Sequence, residues 1–448
     1  MKAYKKLFVL LILSIAAANE HVFAGKTDYN NSVEFNTNDP AAYNYRGYAS
    51  AQRGEWKKAI DDYSESIRLN STSEISYIYR GYAYSATGEW QKSIADYSKA
   101  VQLNPNDPMP YGNRGHDHYF NKEYDKAIND LNVAISLDPK YSENYRYRGM
   151  AKLKNGNCDE AIQDFLQAIK INPNDVQAYD WCGKAYLKKA DYDKTIDVFN
   201  QAIQLDSQDE YAYSGRGFAY YKKRKHDMAM SDLNKAIQLS PNDAFAIDTR
   251  GCILLYNRDY KKAIADFSQV LQIVPDDFSA LDNRALSYYE MADFTNVIND
   301  ETRVLHKYPT TAPAYFRRAK SYYLLGRYDE ATSDYKKAIQ INTNNAAACN
   351  DLAWLLATCS ISTNRNGKEA VKLANSGCAL TDWKQWNYVG TLAAAFAEVG
   401  DFDSAVKYQQ DAIRLKLQGA EDSPDENQRL ELYKKHQAYH DPQKDLIR

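Results

Sequence analysis

The chain lacks a concentrated block of either charge. Its 56 lysines and arginines and 59 aspartates and glutamates are interspersed along 448 residues, with a formal charge of −3 and a pI near 6.2. Phosphate binding needs a concentrated cationic face, so nucleic acid is excluded as the main partner. Metal-ligand spacing is missing too. The seven histidines are His21, His116, His118, His226, His306, His436 and His440. His116 and His118 stand two apart, on different helix faces, and no Cys or carboxylate joins them at zinc-site spacing. No nucleophile–base constellation stands out. The "GRG" at 215–217 has no preceding strand and is not a phosphate loop. Neither an enzyme nor a cofactor is expected. Apolar content of 44% with 26% charge is that of a globular chain, neither disordered nor membrane-embedded. What the chain has in excess is tyrosine, 38 residues, more than phenylalanine and tryptophan together.

The first 24 residues are set aside before any folding argument. Lys2, Lys5 and Lys6 precede the apolar run "LFVLLILSIAAA", and Val22-Phe23-Ala24 places small residues where a cleavage site needs them. This is the layout of a secretory signal peptide. The run is shorter than the ~20 residues of a spanning helix. The expectation is an exported protein, periplasmic or secreted, with no stable membrane anchor after cleavage and a linker at 25–39.

A chain of this length would ordinarily suggest about three domains, unless it is a repeat array. Gly47, Gly81, Gly115, Gly149, Gly183, Gly217 and Gly251 lie 34 residues apart, and Ala285, Ala319 and Ala353 continue the series. A second series runs Ala59, Ser93, Ala127, Ala161, Thr195, Ala229, Ala263, Val297, Ala331. A third, aromatic or leucine, includes Tyr63, Tyr97, Leu131, Phe165, Phe199, Leu233, Phe267 and Tyr335. With Pro40 as position 1, the apolar or small positions are 4, 8, 11 and 20, 24, 27. Each set has the i, i+4, i+7 spacing of an amphipathic helix, so each unit holds two helices. Gly54, Gly88, Gly156 and Gly326 fall at position 15, where the first helix must stop. Prolines at 105, 139, 173, 241, 275 and 309 close the second.

This pattern resembles the tetratricopeptide repeat: large at 4, small at 8 and 20, aromatic at 24, alanine at 27, proline at 32. The resemblance implies an all-α fold, a right-handed superhelical solenoid of about eleven antiparallel helix pairs. Nine units cover 40–345, two altered units 346–418, and a capping helix and tail 419–448. The unit 278–311 departs most, with Glu301 in the aromatic place and Val297 in the small one.

Position 7 is arginine wherever position 23 is aspartate. The pairs are Arg46 and Asp62, Arg80 and Asp96, Arg114 and Asp130, Arg148 and Asp164, Arg216 and Asp232, Arg250 and Asp266, with Arg284 and Arg318 continuing the series. The unit 176–209 has Cys182 and Val198 instead, and the altered unit at 346 has Leu352 and Leu373. Joint retention and joint loss point to an ion pair within each unit, so Cys182 reads as an apolar swap and not as a reactive thiol. Of the other cysteines, Cys349 and Cys378 are the candidate disulfide, with Cys158 and Cys182 a weaker one.

In the resembled family the concave face is lined by positions 2, 5, 9, 12 and 13 of the first helices. Here these include Tyr48, Tyr82, Tyr119, Phe120, Tyr211, Phe218, Tyr221, Phe245, Tyr256, Tyr289, Phe316 and Tyr323. Tyrosine offers apolar area with a hydrogen-bonding tip at low entropic cost, which suits recognition. The resemblance implies a non-catalytic scaffold for a protein or peptide partner. The alternative is a carbohydrate-binding or envelope-assembly component with a polysaccharide partner, because aromatic grooves also stack on sugars. A co-chaperone clamp needs lysine at position 5 and asparagine at position 9, and the chain reads Asn44/Tyr48, Ile78/Tyr82, Gly112/His116 and Arg146/Met150 there.

Overall fold

The computed structural model describes residues 37–417 and 424–441. The signal segment at 1–24 and nearly all of the linker at 25–39 lie outside the described residues. Among the described residues the fold is all-α, with 23 α-helices, a single 3-10 turn at Ser362–Asn364 and no strand. The chain divides into two compact parts, one up to Lys223 and one from Arg224 onward. Each part is a stack of helical hairpins, in which a first helix such as Pro40–Gln52 is followed by a second such as Trp56–Leu69. Within each part consecutive helices touch, and so do first helices of neighbouring units, as Val176–Lys188 and Glu210–Lys222 do.

The small positions make the hairpins possible. A Cβ on Gly149 would stand 2.7 Å from the Phe165 ring, and one on Gly47 2.8 Å from Tyr63. The ring at position 24 therefore lies directly against the glycine backbone. A larger residue there would overpack the seam, at ~1–3 kcal/mol. Tyr63, Tyr97, Phe165, Phe199, Phe267 and Tyr335 are all fully buried in this way.

The turn between the helices is left-handed whether or not glycine occupies it. Gly54, Gly88, Gly156 and Gly326 have φ of 73° to 90° at position 15, and Lys122, Ala190, Arg224, Arg258 and Ala292 hold φ of 57° to 64° at the same place. The turn geometry is thus set by hairpin packing, and five units hold it without the residue that adopts it most cheaply.

The altered unit inserts its extra residues at Cys359–Asn366, where Arg365 donates to the Cys359 carbonyl at 2.8 Å and pairs with Glu398 at 2.9 Å. The helix Pro424–Lys434 caps the last hairpin through fully buried Tyr433 and a Gln409 side chain donating to the Glu426 carbonyl at 3.1 Å.

Candidate functional site

Position-7 arginines tie the helices of a unit together and reach back to the unit before. Within their own units, Arg46–Asp62, Arg80–Asp96, Arg114–Asp130, Arg148–Asp164, Arg250–Asp266, Arg284–Asp300 and Arg318–Asp334 close to 2.6–2.8 Å. Arg216 and Asp232 fall in different compact parts. The remaining guanidinium nitrogen, Nη1, reaches back to position 25 of the preceding unit. It donates to Ser64, Ser98, Asn132, Asn200, Asn234, Ser268 and Thr302, from Arg80, Arg114, Arg148, Arg216, Arg250, Arg284 and Arg318, at 2.6–3.2 Å. Before Cys182, position 25 is Leu166; before Leu352 it is Lys336, which pairs with Glu369 at 2.9 Å. A hydroxyl or amide thus stands at position 25 wherever the next unit has its arginine, and is absent wherever that unit does not.

Cys182 is fully buried among Phe165, Tyr186 and Ile162, and burial pushes its thiol up to about 12. It is a core side chain. Val198 joins the same cluster. Cys349 and Cys378, the candidate disulfide, are both free, as are Cys158, Cys182 and Cys359. Cys378 packs with Ala353, Val389 and Leu392, and Tyr388 lies close to both thiols.

The twelve aromatics named above divide by exposure. Tyr211, Phe245 and Tyr256 are exposed, at 39%, 48% and 69%. Tyr48, Tyr119, Phe120, Phe218, Tyr221, Tyr289, Phe316 and Tyr323 are half-buried. Tyr82 is a correction: it is 8% exposed, and its hydroxyl is raised by burial first and by Glu143 second. It belongs to the core.

In the N-terminal part the face of the first helices is a band of packed rings around one buried cation. His116 stacks on Tyr147 at 3.9 Å, and Phe120 stacks on Trp90 at 5.2 Å while meeting Tyr147 edge-on. Arg146 is buried beneath them, bonded to Asp175 at 3.0 Å, Gln177 at 2.8 Å and Glu143 at 3.2 Å. Burial, with Arg146 behind it, lowers His116 to about 3, so the ring is neutral. One unit on, the Asp180 carboxyl lies beside Asp209, whose Oδ1 caps the helix Glu210–Lys222 at the Tyr211 and Ala212 amides. Burial first, then Asp209, pushes Asp180 up to about 9, so it holds a proton at neutral pH. Further along, Lys222 lies 5.0 Å over Phe218 and 5.3 Å over Tyr221.

In the C-terminal part, Tyr256 meets His226 edge-on at 4.7 Å, and Lys320 lies 5.8 Å over Tyr289. Glu301, in the aromatic slot of its unit, is fully buried, and Arg317 of the next unit contacts it while also bonding Asp282 at 2.8 Å. Burial outweighs Arg317 and raises Glu301 to about 8. Among the described residues no group of His, Cys, Asp and Glu is placed to hold a metal ion, and no helix is long and apolar enough to cross a membrane.

The family description "TPR repeat" matches residues 81–122, 149–190 and 183–223, and "Tetratricopeptide repeat" matches 210–243 and 312–345. These stretches are tetratricopeptide repeats, a repeat class that generally serves as a non-catalytic scaffold for protein–protein interaction. Similar solved structures include YrrB, titled a TPR protein with an unusual peptide-binding site, at 22% identity over 41% of this chain and 95% of that one, TM-score 0.37. A tetratricopeptide repeat protein of Parabacteroides merdae is 22% identical over 55% of this chain and 98% of its own, TM-score 0.44. Yeast Tom70 is 16% identical over 89% of this chain and 95% of its own, TM-score 0.33. Comparison with curated proteins returned no match.

Proposed function

We propose that this protein is an interaction scaffold that binds a peptide or protein partner on its first helices, outside the cytoplasm. The observation that carries the reading is the exposure of large aromatics on that face: Tyr211 in the N-terminal part, and Phe245 with Tyr256 on the single helix Ala244–Tyr256 in the C-terminal part. Exposed rings cost solvation that a chain of packed hairpins does not require, and buried against a partner each becomes a candidate anchor. The supporting argument for export is the N-terminal pattern of lysines, apolar run and Val22-Phe23-Ala24, with cleavage placed near Gly25.

The test is capture of partners from the native envelope or secreted fraction by the full chain and by Phe245→Ala/Tyr256→Ala. Loss of capture with an unchanged melting curve is the expected result. Capture that survives the double change, or retention of glycans but not proteins, overturns the reading. Mass spectrometry of the exported chain checks the compartment: an intact Met1 there overturns export.

A further inference from the structure

We propose that the C-terminal end of the first-helix face is a peptide site that the chain fills with its own tail, Gln437–Asp441. In trans it accepts an extended peptide carrying an aromatic residue followed two positions later by a carboxylate. The inference rests on the first helices being the binding face, and of the aromatic row above it shares only Tyr323.

The helix Pro424–Lys434 ends in a turn at His436, which has φ of 56°. From Gln437 to Asp441 the chain has no regular structure, yet it stays against the protein. Tyr439 tilts against Trp354 at 6.0 Å, and the Arg429 guanidinium covers both rings, at 5.6 Å and 5.4 Å. His440 Nε2 meets Glu398 Oε2 at 2.8 Å. The Asp441 amide donates to the Thr358 carbonyl at 2.7 Å, and its carboxylate accepts from the hydroxyls of Tyr323 at 3.5 Å and Tyr439 at 3.3 Å.

The receiving residues are Tyr323, Trp354, Thr358 and Glu398. They sit on three successive first helices, Ala312–Leu324, Ala346–Thr358 and Trp386–Glu398, at repeat positions 12, 9, 13 and 13. These are the positions that line the ligand face of this repeat class. The tail therefore crosses three first helices, held to them by side-chain contacts and one backbone bond, as an extended bound peptide is.

Two grades of attachment meet at His436. Before it, Tyr433 is fully buried and Glu426 is bonded to Lys416 and Arg429, both at 3.0–3.1 Å, so the helix is a fixed cap. Beyond it, Tyr439 and Asp441 are half-buried and His440 is exposed. A segment tethered by a few residues has an effective concentration in the mM range, so it excludes weak ligands and yields to a stronger or locally concentrated one.

The test uses the full chain and a fluorescently labelled peptide of the sequence Lys435–Asp441, followed by anisotropy. Tyr439→Ala/Asp441→Ala weakens the resident tail and leaves the receiving residues intact. That variant should bind the probe at least tenfold more tightly than the wild type. Adding Trp354→Ala should abolish the binding, and adding Tyr323→Phe, which removes one hydroxyl, should weaken it several-fold. Equal binding by wild type and tail variant overturns the proposal. So does a tail variant that loses its cooperative melting transition, because the tail is then part of the core. Failure of the probe with partner capture still dependent on Phe245 and Tyr256 removes the tail site alone; success of the probe with capture independent of those rings removes only the wider reading.

Discussion

The hairpin units 176–209 and 278–311 both break the repeat rule, in opposite chemical directions. The first replaces a polar set by apolar residues: Cys182 for arginine and Val198 for aspartate, with Leu166 of the preceding unit where the hydroxyl or amide that would bond the arginine otherwise stands. Nothing charged is left behind, and Phe199 fills the seam between Gly183 and Gly215, with a Cβ on either glycine 2.4 Å from the ring. The second keeps Arg284 and Asp300, paired at 2.7 Å, and puts an acid in the aromatic slot. Glu301 is tolerated only because Arg317, one position before the next unit's own arginine, turns to it. The same contrast recurs at position 5. Asp180 has a second carboxyl for a neighbour, whereas Asp282 has Arg317. A coordinated apolar swap needs no new partner, while a buried acid needs one in another unit.

Removing that partner is the harshest way to test the contrast. In urea unfolding at pH 9, where Glu301 is ionised, Arg317→Ala should cost about 3–5 kcal/mol, because it strands that carboxylate among Asp282 and Asp300. Adding Glu301→Tyr, the residue of units 40–73 and 312–345, should recover most of the loss. A double variant as unstable as the single one would mean that the acid is not the cause.

The converse test charges the apolar unit. Cys182→Arg places a guanidinium in a core with no carboxylate and should cost about 3 kcal/mol. Supplying Val198→Asp and Leu166→Asn rebuilds the three-helix bond of the other units and should return much of it. If the triple variant is no better than the single one, the polar set is not transferable between units. In an ordinary unit, Arg114→Ala should cost about 2 kcal/mol more than Arg114→Leu with Asp130→Leu, since only the single change leaves a buried acid unpaired. A double-mutant cycle without coupling would break the explanation for Cys182.

Much of this was legible in the sequence, and what was not has physical reasons. Helices, their stops and the joint loss of Cys182 and Val198 follow from a strict 34-residue period. The role of position 25 was carried by the same period. It was missed because a small polar residue on a solvated face, such as Ser64 or Asn132, is indistinguishable from an ordinary surface residue until its arginine is placed. Glu301 stands in the sequence only as a departure from the aromatic slot, because its partner Arg317 lies in the next unit. Tyr82 reads as a groove residue because position 9 belongs to the ligand face of the repeat, while the burial of its ring is a matter of tertiary packing that the period does not carry. Tail docking at Trp354 had no signal at all, since a five-residue aperiodic segment carries no pattern.

Acidity gives a gentler test of the position-5 contrast. The native state holds the Asp180 proton up to about pH 9, whereas the unfolded chain releases it near pH 4, so stability falls as pH rises across that window. Asp180→Asn should remove this slope, with a gain of order 1 kcal/mol that is larger at pH 8 than at pH 5. Asp282→Asn should instead destabilise at neutral pH, because Arg317 loses an acceptor. Parallel pH profiles for the two variants would erase the distinction.

The smallest effect is expected where the two units are alike. Both turn between their helices on an alanine, Ala190 with φ of 57° and Ala292 with φ of 58°. For an L-residue with a Cβ this region costs roughly 1 kcal/mol, which glycine avoids while gaining entropy in the unfolded chain. Ala190→Gly and Ala292→Gly should therefore each stabilise slightly, by about 0.5 kcal/mol, and by the same amount, as read from urea midpoints at unchanged m-value. Equality is the informative result. The turn is imposed by hairpin packing common to all units, so it should not register whether the seam holds Phe199 or Glu301. A gain confined to one unit would mean that the substituted seam also strains its turn, and the two departures would then be backbone changes as well as side-chain ones.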